Sequence, residues 1–348
     1  MTLALGKQWS LRRMTDKNGY FKMTSLDQRA PIEDPIKQVL SHSGLFSIDK
    51  LNQDVVSFKR LLIETFQSRS SAMLLDPSFA VAGCLNTLDT DKGLFISLED
   101  PYSAKTEQGA TITSVIPGWS VGKIKRVGGD AVKLLIWYHS TGNVQVNAQQ
   151  QQLVRKVGAD CVKYDIPFVL ELLAYPSCEV LDNTALIKQQ KADSVLLALQ
   201  EFAKEKYQVD VFMLESPVDV KDIGGVNNTG WEEVQAIFDQ IPKLAKRPWV
   251  MLSMGADMAE FQLMMSHAYQ AGCSGYLAGR AYWLDTIDAY PNWGKMQCSL
   301  NGKSLDYIDA LNKLTDERAL PWHKCTNEEE FPDSSILNNE FCHLYHDI

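Results

Sequence analysis

Two apolar runs constrain this chain more than anything else in it. They read "DIPFVLELLAY" and "QVDVFMLESPVDV", and the apolar core of each, "FVLELLAY" and "VFMLESPV", is interrupted by one carboxylate, Glu171 in the first and Glu215 in the second. An apolar run without alternation is what a strand looks like when both of its faces are covered, as in a parallel sheet wrapped by helices. A carboxylate late in such a strand stands where barrel enzymes carry their chemistry.

The rest of the chain repeats the theme. "YFKMTSLDQ", "SAMLLDP", "GLFISLED", "DAVKLLIWY", "PWVMLSMG" and "CSGYLAG" read as further strands. Helical spacing lies between most of them, most plainly over 49–67, with Leu51, Val55, Phe58, Leu61 and Leu62 on one side. A short helix over 119–127 ends at Gly128-Gly129, and longer ones are expected over 147–157, 184–207 and 231–243. "GADMAE" offers Asp257 as an N-cap with Glu260 three residues on, a capping box. About eight strands, most followed by a helix, predict an α/β chain folded as a (β/α)8 TIM barrel. An open doubly wound sheet is the rival, but no G-x-G-x-x-G follows the first strand. Residues 1–319 are expected to form one barrel domain with an N-terminal extension, and 320–348 an acidic C-terminal tail.

Bulk properties exclude several functions. A net charge of −9 over 348 residues argues against a general nucleic-acid binder, while leaving room for a small phosphorylated ligand in a local cationic pocket. No apolar run reaches the roughly 20 residues that span a bilayer, and no signal peptide is recognisable, so neither a membrane nor a secretory partner is expected. Seven cysteines without regular spacing suit reduced thiols in a cytoplasmic protein. In the tail, His323, Cys325, Cys342, His343 and His346 are of zinc-binding types, but their spacing matches no ligand pattern. A surface extension is the expectation there, and no metal.

Chemistry is expected at the strand ends. Lys133 lies inside an apolar strand, where a lysine needs a partner. Glu171 sits on the next strand, and the two solve each other's burial while tuning each other as proton donor and acceptor. Asp27, Gln28 and Arg29 follow one another at the end of the first strand. The last two strands end in "LSMG" and "LAGR". Barrel phosphate sites are commonly built from the loops after strands seven and eight. Ser253, Gly255 and Gly279 offer a hydroxyl and close backbone approach, and Arg280 a fork of donors matched to phosphate.

The segments "FKMTSLDQRAP", "AMLLDP", "GGDAVKLLIWY", "IPFVLELLAY", "VDVFMLESPV", "LSMG" and "LAGRAYW", in that order, resemble the tagatose 1,6-bisphosphate aldolase family, whose barrel is shared by aldolases of sulfosugar breakdown. The resemblance spans about residues 19–290. It implies a (β/α)8 lyase that cleaves a phosphorylated ketose with neither metal nor cofactor, a small phosphorylated sugar as its partner, and homo-oligomerisation left open. It also implies roles: Lys133, Glu171 and Asp27 as catalytic groups, and Gln28, Arg29, Ser253, Gly255, Gly279 and Arg280 as substrate-binding ones.

One position departs from the family. Its imine-forming lysine stands two residues before the glutamate of the sixth strand, and here that residue is Met213. A thioether forms no imine, so the electron sink of the family's mechanism is missing. Three outcomes follow as expectations: an imine relocated to Lys133, which needs a depressed lysine pKa; isomerase or epimerase chemistry by Lys133 and Glu171; or a sugar-phosphate-binding regulator without turnover.

Overall fold

The computed structural model describes residues 3–106, 109–174, 184–219, 223 and 230–325, and within 184–188 the backbone only. Eight parallel strands close into a barrel: β1 (Phe21–Leu26), β2 (Ala72–Leu75), β3 (Gly93–Ser97), β4 (Ala131–Tyr138), β5 (Phe168–Ala174), β6 (Val211–Leu214), β7 (Trp249–Leu252) and β8 (Gly275–Ala278), with β8 paired back onto β1. This is the (β/α)8 barrel expected from the strand count.

The lack of alternation in the strands has a direct cause. Inward residues such as Met23, Phe95, Val169, Val211, Met213 and Val250 fill the barrel. Outward ones, including Leu134, Ile136, Leu170, Phe212 and Met251, lie under the helices in a second, larger core. Both faces of each strand are therefore apolar. The helices form largely where periodicity placed them, at Ile48–Phe66, Val121–Val127, Thr184–Phe202 and Met258–Gln270. The last begins with the expected Asp257–Glu260 capping box. Two helices differ in extent. That after β4 runs over Val144–Lys163, because the Asn143 side chain accepts from the N–H groups of Gln145 and Val146 and caps it early. That after β6 is broken into Trp231–Phe238 and Ile241–Ala245. Leu197, an apolar position of the helix before β6, faces solvent, whereas Leu196 and Phe202 are buried.

An N-terminal helix, α1 (Leu5–Met14), stoppers the end of the barrel where the strands begin. Its Leu11 and Met14 enter the interior cluster together with Trp322 from the far end of the described chain. The main-chain N–H of Trp322 donates to Gly19 O, and that of Leu320 to Cys273 O. Residues 326–348, with Cys342, His343 and His346, lie outside the described residues. Among the described residues no group of side chains could hold a metal ion, and no helix is long and apolar enough to cross a membrane.

One buried ion pair pins α1. Lys7 Nζ stands 2.7 Å from Asp210 Oδ2, both nearly solvent-free, and the same carboxylate accepts the Phe168 N–H at the start of β5. Burial pushes the Asp210 carboxyl up, and Lys7 pulls it part of the way back. Replacing Lys7 with Met is expected to lower stability by about 3 kcal/mol, since it strands a desolvated carboxylate. Thermal melts check this, and adding Asp210→Asn in the same chain is expected to recover most of the loss.

Candidate active site

The C-terminal ends of the strands surround a cavity of about 750 Å3. At its floor a single ammonium group gathers three carboxylates. Lys133 Nζ, from β4, lies 3.0 Å from Asp27 Oδ2, 2.7 Å from Glu171 Oε2 and 2.5 Å from Glu99 Oε1. An ammonium has three protons to donate, and here each has its own carboxylate. Lys133 is 1% exposed, so none of its charge is dissipated in water.

Each carboxylate is positioned separately. Asp27 follows β1, and its Oδ1 accepts from the Ser25 hydroxyl at 2.7 Å, which in turn accepts from Gln28 Nε2. The loop bearing Asp27, Gln28 and Arg29 is tied down by Lys59, fully buried, whose Nζ donates to Leu26 O, Gln28 O and Asp76 Oδ2. Asp76 also faces Arg29, with Nε at 3.8 Å. Glu99 follows β3 and uses its second oxygen to accept the Leu135 N–H. Glu171 projects from the middle of β5.

The electrostatics divide the roles. For Lys133, burial alone favours the neutral amine, but Asp27, Glu171 and Glu99 outweigh it and hold the pKa well above its ordinary value. For Glu171, burial comes first and wins, so its carboxyl is raised despite Lys133. For Asp27, burial is overcome by the Lys133 charge and the Ser25 hydroxyl, and the carboxyl is lowered. One cation among three desolvated carboxylates leaves the group short of positive charge, in keeping with the raised Glu171 carboxyl. Glu215, at the end of β6, accepts the Ala174 N–H, and burial pushes it up to about 7.

Of the residues expected from the sequence, Asp27, Lys133 and Glu171 meet at the floor, and Gln28, Arg29, Ser253, Gly279 and Arg280 line the walls. Gly279 is held so close to β1 that an added Cβ would lie 2.3 Å from Ser25 O. Gly255, with a φ of +80°, shapes the turn after β7, where Ala256 N–H donates to Ser253 O, and the space beside its Cα is open. The three carboxylates favour the ammonium form of Lys133, the opposite of the depressed lysine pKa that an imine relocated there would need.

Met213 lies where the alignment of strands puts it, inside the barrel on β6, paired in register with Glu171 on β5 and Val250 on β7, and fully buried. It is packed in the interior and does not reach the cavity wall. Lys221 lies outside the described residues. Two wall features escaped the sequence reading. Glu99 was visible in "ISLED" as a strand-end carboxylate of the same kind as Glu171. The excursion after β3 that carries Lys105 is marked in the sequence by Pro101, Gly109, Pro117 and Gly118, which signal turns but not a cavity wall.

Comparison with known proteins bears on this arrangement. A model of the DeoC/LacD family aldolases matches residues 32–285, which include Lys133, Glu171 and the ends of β7 and β8. The chain belongs to the DeoC/LacD aldolase family. Among its relatives, tagatose 1,6-diphosphate aldolase of Lactococcus lactis subsp. lactis is 29% identical over 335 residues, covering 92% of this chain and 99% of the relative. Tagatose 1,6-diphosphate aldolase 1 of Streptococcus pyogenes serotype M3 is 30% identical over 337 residues, again covering 92% and 99%. Among solved structures, an archaeal fructose 1,6-bisphosphate aldolase superposes with a TM-score of 0.57 at 14% identity, covering 89% of this chain and 98% of that one. The fructose-bisphosphate aldolase of Plasmodium falciparum does so with 0.66 at 12%, covering 92% and 97%. At these identities the solved structures speak for the barrel alone. The DeoC/LacD family assignment rests on the sequence matches.

Proposed function

We propose that this DeoC/LacD chain is a carbon–carbon lyase acting on a phosphorylated ketose of the tagatose 1,6-bisphosphate kind, and that it does so without a covalent intermediate. The observation that carries the reading is the Lys133 cluster at the floor of a cavity whose walls carry Arg29 and Arg280. Cleavage requires three things of the protein. A base removes the proton from the hydroxyl whose carbon becomes the aldehyde. The electron pair of the breaking carbon–carbon bond moves onto the ketose carbonyl, giving an enediolate. A proton then returns to carbon. Asp27, kept ionised, suits the first step, and Glu171, which holds a proton readily, suits the last. Lys133 supplies the positive charge against which the enediolate forms. Ser253, Gly279 and Arg280 suit one phosphate, and Gln28 and Arg29 the polar groups beside it.

Met213 favours a second reading, in which the same groups move protons without breaking the chain, as an isomerase or epimerase. A non-catalytic sugar-phosphate binder is the third. Incubation with tagatose 1,6-bisphosphate in deuterium oxide separates them. Triose phosphates carrying deuterium support cleavage, deuterium in an unshortened sugar supports isomerisation, and tight binding with neither supports the binder.

Glu171→Gln is expected to lower kcat by about 10²–10⁴-fold, the usual range for a lost proton-transfer group. The wild-type rate is also expected to change across an ionisation above the ordinary glutamate range, since burial raises Glu171, and Glu171→Gln is expected to abolish that limb of the pH profile. A profile unchanged in the variant would assign the limb elsewhere. The five described cysteines are free thiols, which supports placing this activity in a reducing, cytoplasmic setting.

A further inference from the structure

The cavity is lined by four cations, Arg29, Lys105, Lys133 and Arg280. Lys133 is spent on its three carboxylates, and Arg29 lies beside Asp76. Arg280 and Lys105 form no ion pair among the described residues, and they come from different sides of the barrel.

Lys105 stands on an arm that the chain makes between β3 and the helix at Val121–Val127. The arm leaves and returns antiparallel: Glu99 bridges Val115, Asp100 N–H donates to Ser114 O, and Ala104–Lys105 pairs with Thr111–Ile112. It is fastened on both flanks. Gln150 Nε2 from the helix after β4 donates to Thr111 O at 3.0 Å, and the Tyr102 hydroxyl donates to Glu33 Oε2 at 2.6 Å, on the helix that follows Arg29. The backbone under Lys105 is therefore fixed while its side chain is exposed at the rim. The same arm holds Glu99, so it joins the rim to the proton-transfer cluster.

Strand order places the arm. In a closed ring of eight, β3 and β7 are four steps apart, directly opposite one another. Ser253 follows β7, and Gly279 and Arg280 follow β8. Lys105, eight residues beyond the end of β3, and the Ser253–Arg280 corner after β7 and β8 line the same mouth as the Lys133 cluster. Two anion-attracting sites on different elements of the cavity that holds the reactive groups match an open-chain sugar with a charged group at each end.

We propose that Lys105 receives the second, outer phosphate of a bisphosphorylated substrate and sets the preference of this chain for bisphosphates over monophosphates. This rests on the reading of the cavity as a sugar-phosphate site. The probes are hexitol 1,6-bisphosphate, hexitol 1-phosphate and hexitol 6-phosphate, which lack a carbonyl and are not turned over, titrated calorimetrically. Wild type is expected to bind the bisphosphate about 10- to 100-fold more tightly than the better monophosphate, in keeping with one added charge-assisted contact. Lys105→Ala is expected to bring that ratio to within about 3-fold while leaving the affinity for the better monophosphate in place, and Lys105→Arg to restore it. A ratio that survives Lys105→Ala, or a wild type without preference, overturns the proposal. Cleavage of the ketose bisphosphate is followed in parallel. Absence of cleavage with a ratio that still collapses sinks the lyase reading and leaves Lys105 in its role; cleavage with an unchanged ratio does the reverse.

Discussion

Met213→Lys is expected to gain an imine that the wild type does not form. Incubated with dihydroxyacetone phosphate and borohydride, the variant should yield an irreversible adduct on residue 213 by peptide mass mapping, and the wild type none. The reason lies in the register. Position 213 is the direct neighbour of Glu171 across adjacent strands, roughly 4.8 Å apart at the backbone, and its side chain points into the barrel. An amine there is desolvated, and its neighbour Glu171 has a carboxyl that burial raises toward the neutral form. Desolvation favours the neutral, nucleophilic form, the opposite of what three carboxylates do to Lys133. Where the wild type depends on charge alone to stabilise an enediolate, the variant has a covalent electron sink. A gain in cleavage rate of about 10³-fold or more is expected, corresponding to roughly 4 kcal/mol in the barrier. Met213→Leu, of similar volume, is expected to behave as wild type. An adduct on Lys133 in the unaltered protein would show the cage to be more open than its geometry implies.

Lys133→Met should be the most damaging single change in the barrel. It removes the one cation shared by Asp27, Glu99 and Glu171 and leaves three desolvated carboxylates facing each other. Losing one partner of a buried ion pair typically costs about 3–5 kcal/mol, and here three partners are stranded at once. The pH dependence gives the signature. In the wild type the Lys133 pKa is raised above its ordinary 10.5, so its contribution is complete below that pH and is lost only in strong alkali. In the variant, carboxyl groups that lack a cation bind protons more tightly when folded than when unfolded, so stability falls as pH rises. The gap between variant and wild type in urea denaturation is expected to be small near pH 4 and to widen toward pH 7. A gap independent of pH would assign the loss to packing alone.

The barrel was legible because closure of a parallel sheet requires apolar residues on both faces of every strand, and such runs stand out in a sequence. Lys133 and Glu171 were legible for the complementary reason, as charges where charge is costly, whereas Asp27, at a polar strand end, stood out only through the family resemblance. What escaped depends on contacts distant in sequence. The segment "LGKQWSLRRM" shows no apolar stripe, and its buried Lys7 makes sense only beside Asp210, some 200 residues away. Glu99 reads as an ordinary strand-end acid until the antiparallel return at Val115 turns it toward Lys133. At Gly255 a glycine beside a phosphate-type motif can serve either the ligand or the turn, and its left-handed φ shows the turn's demand, which the sequence alone does not separate from the ligand's.

The stopper of the barrel couples the two ends of the chain. Leu11 and Met14 enter the interior from one terminus and Trp322 from the other, so the base of the barrel is complete only when both have docked. Contacts spanning so much sequence make for slow assembly. Removing either terminal segment is expected to uncover the part of the inner apolar lining which it caps.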